Sequence, residues 1–162
     1  MEQKLIAIEE LAARLDGRAR LIGIDLGTKT IGLALSDVER RIATPLETIA
    51  RVKFTQDVAR LVKLIAKFEP AALVIGLPLN MDGSEGPRVQ STRAFVRACG
   101  AHIGLPFVFW DERLSTAAVT RSLIEQDASR AKRAAVVDKM AAAYILQGAI
   151  ERLQFIARGA AR

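Results

Sequence analysis

Three acidic residues lie in apolar stretches of a chain that is otherwise basic. Asp25 stands at the end of an apolar run, Glu112 follows a run that ends at Trp110, and Asp138 lies among alanines and valines. An unpaired carboxylate is costly to bury in a medium of low dielectric constant, so such acids need a partner or a shared cation. Because Mg²⁺ prefers oxygen ligands and keeps several waters, two or three carboxylates and the phosphate oxygens of a substrate suffice to bind it. The trio therefore indicates a divalent-metal site that acts on a phosphodiester.

Each of the three acids also has a structural interpretation that involves no metal. Asp25 could accept backbone N–H bonds in a turn, and Glu112 could be a solvated loop charge paired with Arg113. Asp138 could cap the last helix, although the two valines before it already look helical. All three interpretations must hold at once for the metal site to be wrong.

Several small and basic residues near these acids are candidates for binding substrate phosphates. The loop over 27–30 offers unhindered backbone amides, a hydroxyl and an ammonium group, although glycine-containing hairpins are common and the spacing is not that of a Walker loop. Arg88 is expected near the start of a helix, where N–H groups also favour an anion. For each candidate the alternative is a solvated surface residue. The predicted substrate-binding residues are Gly27, Thr28, Lys29, Arg88, Arg113, Arg130, Lys132 and Arg133.

The composition favours a globular protein with a polyanionic partner. The 162 residues carry a net charge of +6, and 51% of them are hydrophobic. The positive charge is rich in arginine, whose guanidinium group matches phosphate oxygens in a two-pronged geometry. The alternative explanation is nucleotide bias, since alanine and arginine are abundant throughout.

The same composition excludes several other classes. No apolar stretch approaches the ~20 residues of a membrane helix, and Glu2, Glu9 and Glu10 argue against a signal peptide. Cys99 is the only cysteine, so no intrachain disulfide can form and a cytoplasmic location is expected. His102 is the only histidine, which excludes a thiolate–imidazole zinc site.

The hydrophobic periodicity predicts an α/β fold in which a mixed five-stranded sheet is flanked by helices. Three strands in a row, followed by two strand–helix units, indicate three antiparallel strands and then two parallel ones. Asp25 would end the first strand, Glu112 would follow the last, and Asp138 would lie one turn into the last helix, after a basic loop over 127–133. Helices are expected at about 3–15, 54–68, 87–102, 115–125 and 135–157, and strands at about 21–25, 31–36, 42–49, 72–75 and 106–110.

Four segments, in this order, resemble the YqgF (RuvX) family. They are Gly23–Lys29, Gly76–Pro78 with Asp82–Ser84, Asp111–Thr116, and Asp138–Ala142. The resemblance covers about residues 20–157 and implies an RNase H-like fold related to that of the RuvC resolvases. It divides the chain into an N-terminal helical extension over 1–19 and an RNase H-like nuclease domain over 20–162.

The resemblance also implies a function. Members of the family are described as cytoplasmic bacterial nucleases of pre-16S rRNA, and some as resolving Holliday junctions. Carried over by position, their catalytic acids and metal ligands correspond to Asp25, Glu112 and Asp138. The chain departs from the family pattern in its N-terminal helix and at Ala134, where many relatives have a basic residue. The second departure weakens the assignment of the run before Asp138 as a phosphate clamp.

These observations favour an endonuclease that uses Mg²⁺ or Mn²⁺ to hydrolyse phosphodiester bonds in structured RNA, in 5′-end processing of pre-16S rRNA. One alternative is a Holliday junction resolvase, which acts on branched DNA and requires a homodimer. Another is a non-catalytic RNA-binding module in ribosome biogenesis. A third is an ATP-using enzyme, since Gly23–Thr28 also resembles the phosphate loop of actin-like ATPases, but those enzymes need two such loops and the chain has one. RNA or DNA, and monomer or homodimer, stay open, and no membrane association is expected.

Overall fold

The computed structural model describes residues 5–114 and 130–160, with side chains described for all of these except 130–138 and 160. The strands of the described part form one sheet, and the helices cover its two faces. The strands are β1 (Leu21–Leu26), β2 (Thr30–Ser36), β3 (Ala43–Ala50), β4 (Ala72–Leu77) and β5 (Phe107–Asp111). The helices are α1 (Ile8–Arg14), α2 (Phe54–Phe68), α3 (Pro87–Cys99) and α4 (Arg130–Ala160), and a 3₁₀ turn spans Glu112–Leu114.

The sheet has the order β3-β2-β1-β4-β5. β2 pairs antiparallel with both β1 and β3, whereas β4 pairs parallel with β1 and β5. β1 and β4 are buried at every position because helices cover both faces of the sheet centre. The edge strand β3 contains Pro45, and its pairing with β2 shifts register between Leu33 and Ala34. The predicted mixed sheet, including the irregularity at Pro45, is confirmed.

Two apolar cores lie on opposite faces of this sheet. On one face, Ile24 and Ile75 pack with buried side chains of α2 and α3. On the other face, Leu21, Val74 and Val108 pack with buried side chains of α1 and α4. Alternate residues of a strand face opposite ways, so each strand of the sheet centre contributes to both cores. The residues that follow the ends of β1, β4 and β5 can therefore reach either layer of helices.

The helix α2 follows its sequence pattern closely. Its bounds, Phe54–Phe68, are those predicted from the apolar stripe on one face. It ends where Glu69 takes a left-handed backbone conformation with φ of 49° and Pro70 follows. Proline cannot continue a helix, so this stop was readable from the residue types.

The predicted start of the last helix is wrong. The last helix begins at Arg130 rather than near 135, so residues 130–133 are helical and do not form the expected basic loop. Alanine, arginine and lysine are all strong helix formers, which explains the earlier start. Asp138 consequently lies more than two turns into α4, since a turn takes about 3.6 residues. The helix predicted over 115–125 lies outside the described residues.

The N-terminal helix is shorter than predicted because the chain before it joins the sheet edge. Leu5 bridges to Phe107, and the Ile6 N–H donates to the Phe107 carbonyl at 3.0 Å. α1 then begins at Ile8, and its Leu11 is 1% exposed in the core shared with α4. The segment before β1 is thus packed into the same core, while the domain boundary at residue 19 stays a prediction. None of the helices in the described ranges is long and apolar enough to cross a membrane.

Candidate active site

Asp25 lies near the end of β1, on the sheet face that α4 covers. It shares that face with Gly23, two residues earlier in the same strand. A Cβ atom at Gly23 would lie 2.7 Å from Leu146 Cβ and 2.9 Å from the Ala142 carbonyl oxygen, so α4 crosses β1 in close contact. Beyond this crossing the Asp25 residue is only 3% exposed. The strand therefore holds a carboxyl group at the boundary between the apolar core and the end of the sheet.

The Glu112 side chain lies over β4, in the space that Gly76 leaves free because it has no side chain. A Cβ atom at Gly76 would lie 3.0 Å from Glu112 Cγ and 3.1 Å from Glu112 Cδ, so the glutamate side chain occupies the space above this glycine. β1 and β4 pair Ile24 with Ile75, which makes Gly76 the next position beside Asp25. The 3₁₀ turn after β5 thus brings a second carboxyl group over the strand next to Asp25.

The third predicted acid lies in the helix that covers this face. Asp138 precedes Ala142 by four residues in α4, one turn before the point where α4 contacts β1. Its side chain lies outside the described part of the structure, as do those of Arg130, Lys132 and Arg133 in the first turns of the helix. The structure therefore brings Asp25 and Glu112 together, and the contribution of Asp138 stays a prediction.

The pair fits a hard divalent cation. Both groups supply carboxylate oxygens, and Mg²⁺ is commonly bound by one or two carboxylates together with waters and phosphate oxygens. Within the side chains that the structure describes, no group of three histidine, cysteine or acidic residues is placed to bind a metal ion. A complete site accordingly needs a ligand from outside the described side chains, such as Asp138 or the substrate.

Arg113 holds the neighbouring loop in place. Its guanidinium group donates to the Asp111 carboxylate at 2.8 Å and to the Met81 carbonyl at 3.3 Å. The hydrogen bond from Arg113 lowers the pKa of Asp111, and the same bond raises the pKa of Arg113. Arg113 therefore joins the loop after β4 to the end of β5, next to Glu112, and its predicted contact with a substrate phosphate stays a prediction.

The loop between β4 and α3 has its own internal order. Asp82 accepts hydrogen bonds from the backbone N–H and the hydroxyl of Ser84, at 2.9 and 2.6 Å, and these bonds lower the pKa of Asp82. Gly83 has a φ of 87°, a conformation that suits glycine. Glu85 pairs with Arg93 of α3 at 2.9 Å. The loop is therefore held at both ends, by Arg113 and by α3.

A groove of about 580 Å³ lies at the same end of the sheet and brings three predicted phosphate-binding residues together. Gly27, Thr28 and Arg88 line it, whereas Lys29 is exposed beside it and its carbonyl accepts a hydrogen bond from Arg51 N–H at 2.9 Å. The sequence interpretation missed the other three charged residues of the lining, Arg51, Lys53 and Asp57. The only sequence signal was two cations in the short segment before α2.

The fold defines the class of protein. The RuvC resolvase of T. thermophilus, solved in complex with a Holliday junction substrate, superposes with a TM-score of 0.51 at 16% identity, covering 83% of this chain and 96% of that one. The yeast mitochondrial Holliday junction resolvase Ydc2 superposes with a TM-score of 0.50 at 13% identity, covering 94% and 86%. At these identities the likeness establishes the fold alone, which is the RNase H-like fold of the RuvC-type resolvases, as predicted.

Sequence relatives give the family. The model of the RuvX family, described as Holliday junction resolvase, matches residues 19–152. A protein of Methylocella silvestris is 70% identical over 156 residues, covering 96% of this chain and 97% of its own length. One of Agrobacterium fabrum is 58% identical over 155 residues, covering 96% and 98%. Both carry the provisional name pre-16S rRNA nuclease.

The chain belongs to the RuvX family, and the resemblance read from the four motifs is confirmed. It is a nuclease, an enzyme of the hydrolase class. This assignment sets aside the non-catalytic binding module considered from the sequence. Nucleic acid is accordingly the class of molecule on which the enzyme acts.

Proposed function

We propose that this nuclease is an endonuclease that depends on Mg²⁺ or Mn²⁺, hydrolyses phosphodiester bonds in structured RNA, and processes the 5′ end of pre-16S rRNA in the cytoplasm. The names of its relatives support the substrate. The net charge of +6 supports a polyanionic partner. The single cysteine, Cys99, is buried, in keeping with a reducing compartment.

One observation carries the catalytic part of the proposal, namely the position of Glu112 over Gly76 and beside Asp25. Two carboxyl groups converge there, one from β1 and one from the turn after β5, the two strands that flank β4. Two negative groups close together repel each other, and a shared cation or proton relieves that repulsion. A divalent cation bound by substrate phosphates as well would remove that repulsion.

Asp25, Glu112 and Asp138 would hold the metal. When bound, such an ion acts as a Lewis acid and lowers the pKa of a coordinated water. The remaining work falls to the residues of the chain. The buried β1 fixes Asp25, the Gly76 gap fixes Glu112, and the apolar wall formed by Ile145 and Leu146 of α4 closes the site from behind.

Hydrolysis adds a water across the bond between phosphorus and the 3′ oxygen, leaving a 5′ phosphate and a 3′ hydroxyl. Negative charge grows on the phosphate oxygens during this displacement, and nearby cations stabilise it. Lys29, Arg88 and Arg113, with Arg130, Lys132 and Arg133 at the start of α4, are the residues assigned to neutralise the substrate phosphates. Gly27 and Thr28 would offer backbone amides to the same strand.

The test is cleavage of a structured RNA by Asp25→Asn in Mg²⁺. We expect its rate to fall by more than about 100-fold, because loss even of a residue that supports a metal ligand costs about 10- to 100-fold. The matched control is Asp37→Asn, the same chemical change in the β2–β3 turn, where the carboxylate accepts hydrogen bonds from the N–H groups of Arg41 and Ile42. An Asp25→Asn protein that cleaves as fast as wild type would refute the catalytic assignment.

Resolution of four-way DNA junctions is the second candidate function. It is favoured by the description of the family and by the junction bound to the T. thermophilus RuvC. Symmetric cleavage of a junction requires two active sites, hence a homodimer. Cleavage rates on precursor rRNA, a four-way DNA junction and simple duplexes separate the two candidates. Light scattering at the assay concentration supplies the oligomeric state, and a strict monomer argues against junction resolution.

A further inference from the structure

The groove that contains Gly27 lies on the sheet face opposite Asp25. Its walls come from three places in the chain: the end of β1, the segment that leads into α2, and the first turns of α3. Three cations line it, namely Arg51, Lys53 and Arg88, and Asp57 is the one acid among its lining residues. The groove is therefore a concave surface with an excess of positive charge, which favours binding of an anion.

Asp57 offsets the charge of Arg51, and leaves Lys53 and Arg88 as the excess positive charge of the groove. Asp57 is 4% exposed, accepts a hydrogen bond from Val52 N–H at 3.2 Å, and lies 3.9 Å from Arg51 Nε. Arg51 is held in turn by the β1–β2 turn, where its guanidinium donates to the Gly27 carbonyl at 2.6 Å and its N–H donates to the Lys29 carbonyl at 2.9 Å. Asp57 is thus a positioning residue that orders Arg51, while Lys53 and Arg88 extend from the rim.

The two helices that start at the groove lack side-chain caps at their N-termini. Lys53 is the N-cap of α2 and Gly86 is the N-cap of α3, and neither cap has a side-chain hydrogen bond to the helix. Serine, threonine, asparagine and aspartate cap free helix amides with a side-chain oxygen, glycine is also common there without supplying one, and the helix dipole favours negative charge. Here Lys53 and Arg88 place positive charges at both positive helix ends. Asp57 offsets part of this charge in the first turn of α2, whereas the first turn of α3 has no acid, so an anion in the groove would be stabilised.

We propose that the groove formed by Gly27, Thr28, Arg51, Lys53 and Arg88 binds a phosphate group of the RNA strand that is cut at Asp25 and Glu112. The inference rests on the proposed function and adds a second anchor to it. Gly27 follows Asp25 by two residues, so the groove begins within about 7 Å of the acid along the chain. The RNA strand would pass around the end of β1, from the α4 face that carries Asp25 to the α2 and α3 face that carries the groove.

The phosphate bound in the groove has two sources, an internal phosphodiester or a terminal 5′ phosphate. Both present oxygens that accept hydrogen bonds from guanidinium, ammonium and backbone N–H groups. The groove offers such donors to the phosphate oxygens of either source. RNAs that differ only at the 5′ end distinguish them.

The test measures RNA binding by the full-length chain in the Asp25→Asn background, in Mg²⁺, by fluorescence anisotropy. The groove variant is Lys53→Gln with Arg88→Gln. The matched control is Lys63→Gln with Arg97→Gln, which removes the same charge from exposed positions on the same two helices outside the groove. The probes are one single-stranded RNA sequence with a 5′ phosphate and with a 5′ hydroxyl.

The groove variant is expected to bind about ten-fold more weakly, and its plot of log affinity against log salt is expected to be shallower by about 0.7, the contribution of one phosphate contact on a single strand. The control is expected to change affinity less than about two-fold. Equal loss in both variants, or no loss in the groove variant, overturns the inference. A loss on both RNAs assigns an internal phosphodiester, and a loss confined to the 5′-phosphorylated RNA assigns the terminal group; either supports the groove.

The inference and the proposed function fail separately. A wild-type chain that binds RNA through the groove but cuts none in any divalent metal would end the proposed function and keep the groove. A chain that cuts RNA, but whose RNA affinity does not change when Lys53 and Arg88 are replaced, would refute the groove and keep the proposed function.

Discussion

The two faces of the sheet at the end of β1 are built in opposite ways. The acidic face is the one that α4 covers, where β1 places Asp25 and the turn after β5 places Glu112 in the space above Gly76. The basic face is the one that α2 and α3 cover, where Arg51, Lys53 and Arg88 lie exposed around the groove at the starts of these two helices. Asp25 is held by burial and Glu112 by the space above Gly76, whereas Lys53 and Arg88 keep the freedom of long exposed side chains.

The difference corresponds to what each face must do. Groups that act at the reacting phosphorus must be ordered before substrate arrives, and burial of Asp25 supplies that order. Groups that hold a flexible strand gain from long side chains that can follow the phosphate backbone. Only Arg51 among the three groove cations is held by hydrogen bonds to the backbone of the β1–β2 turn. The contrast predicts that substitutions on the acidic face act on the cleavage rate and those on the basic face act on affinity.

Among substitutions that leave both acids in place, the largest effect is expected from Gly76→Ala. The added Cβ would lie 2.6 Å from Ile145 Cδ1 and 3.0 Å from Glu112 Cγ, so the glutamate side chain must move. We expect cleavage of structured RNA to fall by about 100-fold, with a loss of stability of about 1–3 kcal/mol from overpacking. Single-turnover cleavage and thermal melting measure the two effects.

The control for this substitution is Gly159→Ala in α4, where a Cβ would meet nothing within 4 Å. It is expected to leave cleavage unchanged and to stabilise the protein slightly, because alanine is the better helix former. Retention of wild-type cleavage by Gly76→Ala would show that the position of Glu112 above Gly76 does not matter for activity.

The positions of the residues on the acidic face could largely be predicted from the sequence, whereas those on the basic face could not. Asp25 and Glu112 follow apolar runs of the kind that form buried strands, so their places at strand ends could be predicted. Lys53 and Arg88 are separated by a helix and a strand, and their convergence depends on how α2 and α3 pack. The start of α4 at Arg130 was missed because a run of basic residues is equally typical of a loop.

A smaller effect is expected from pH. Arg113 holds the pKa of Asp111 below its usual value of 3.8, so the stability that this contact adds is fully present above that value and is lost as pH falls through the lower pKa of the folded state. The difference in unfolding free energy between wild type and Asp111→Asn, about 1 kcal/mol or less, should be constant from neutral pH to about pH 5. Chemical denaturation along a pH series measures it, and a difference that grows on acidification would show the sign to be wrong.

The smallest effect concerns the basic face without RNA. Neutralising Lys53 and Arg88 removes positive charges from the positive ends of α2 and α3, each worth about 0.3–1 kcal/mol. We expect the groove variant to melt about 1–8 °C above wild type, whereas Lys63→Gln with Arg97→Gln should not raise the melting temperature. A groove variant that melts below wild type would show that these cations serve the fold and not a ligand.

The most direct test of the account is the Mg²⁺ dependence of RNA cleavage by Glu112→Gln. We predict that this variant folds and binds RNA like wild type but cuts more than about 100-fold more slowly at saturating Mg²⁺. The matched control is Glu39→Gln, the same change at an exposed residue near the opposite end of β1 from Asp25, and it is expected to cut like wild type. Wild-type cleavage by Glu112→Gln, with unchanged Mg²⁺ dependence, would contradict the assignment of the acidic face as the catalytic centre.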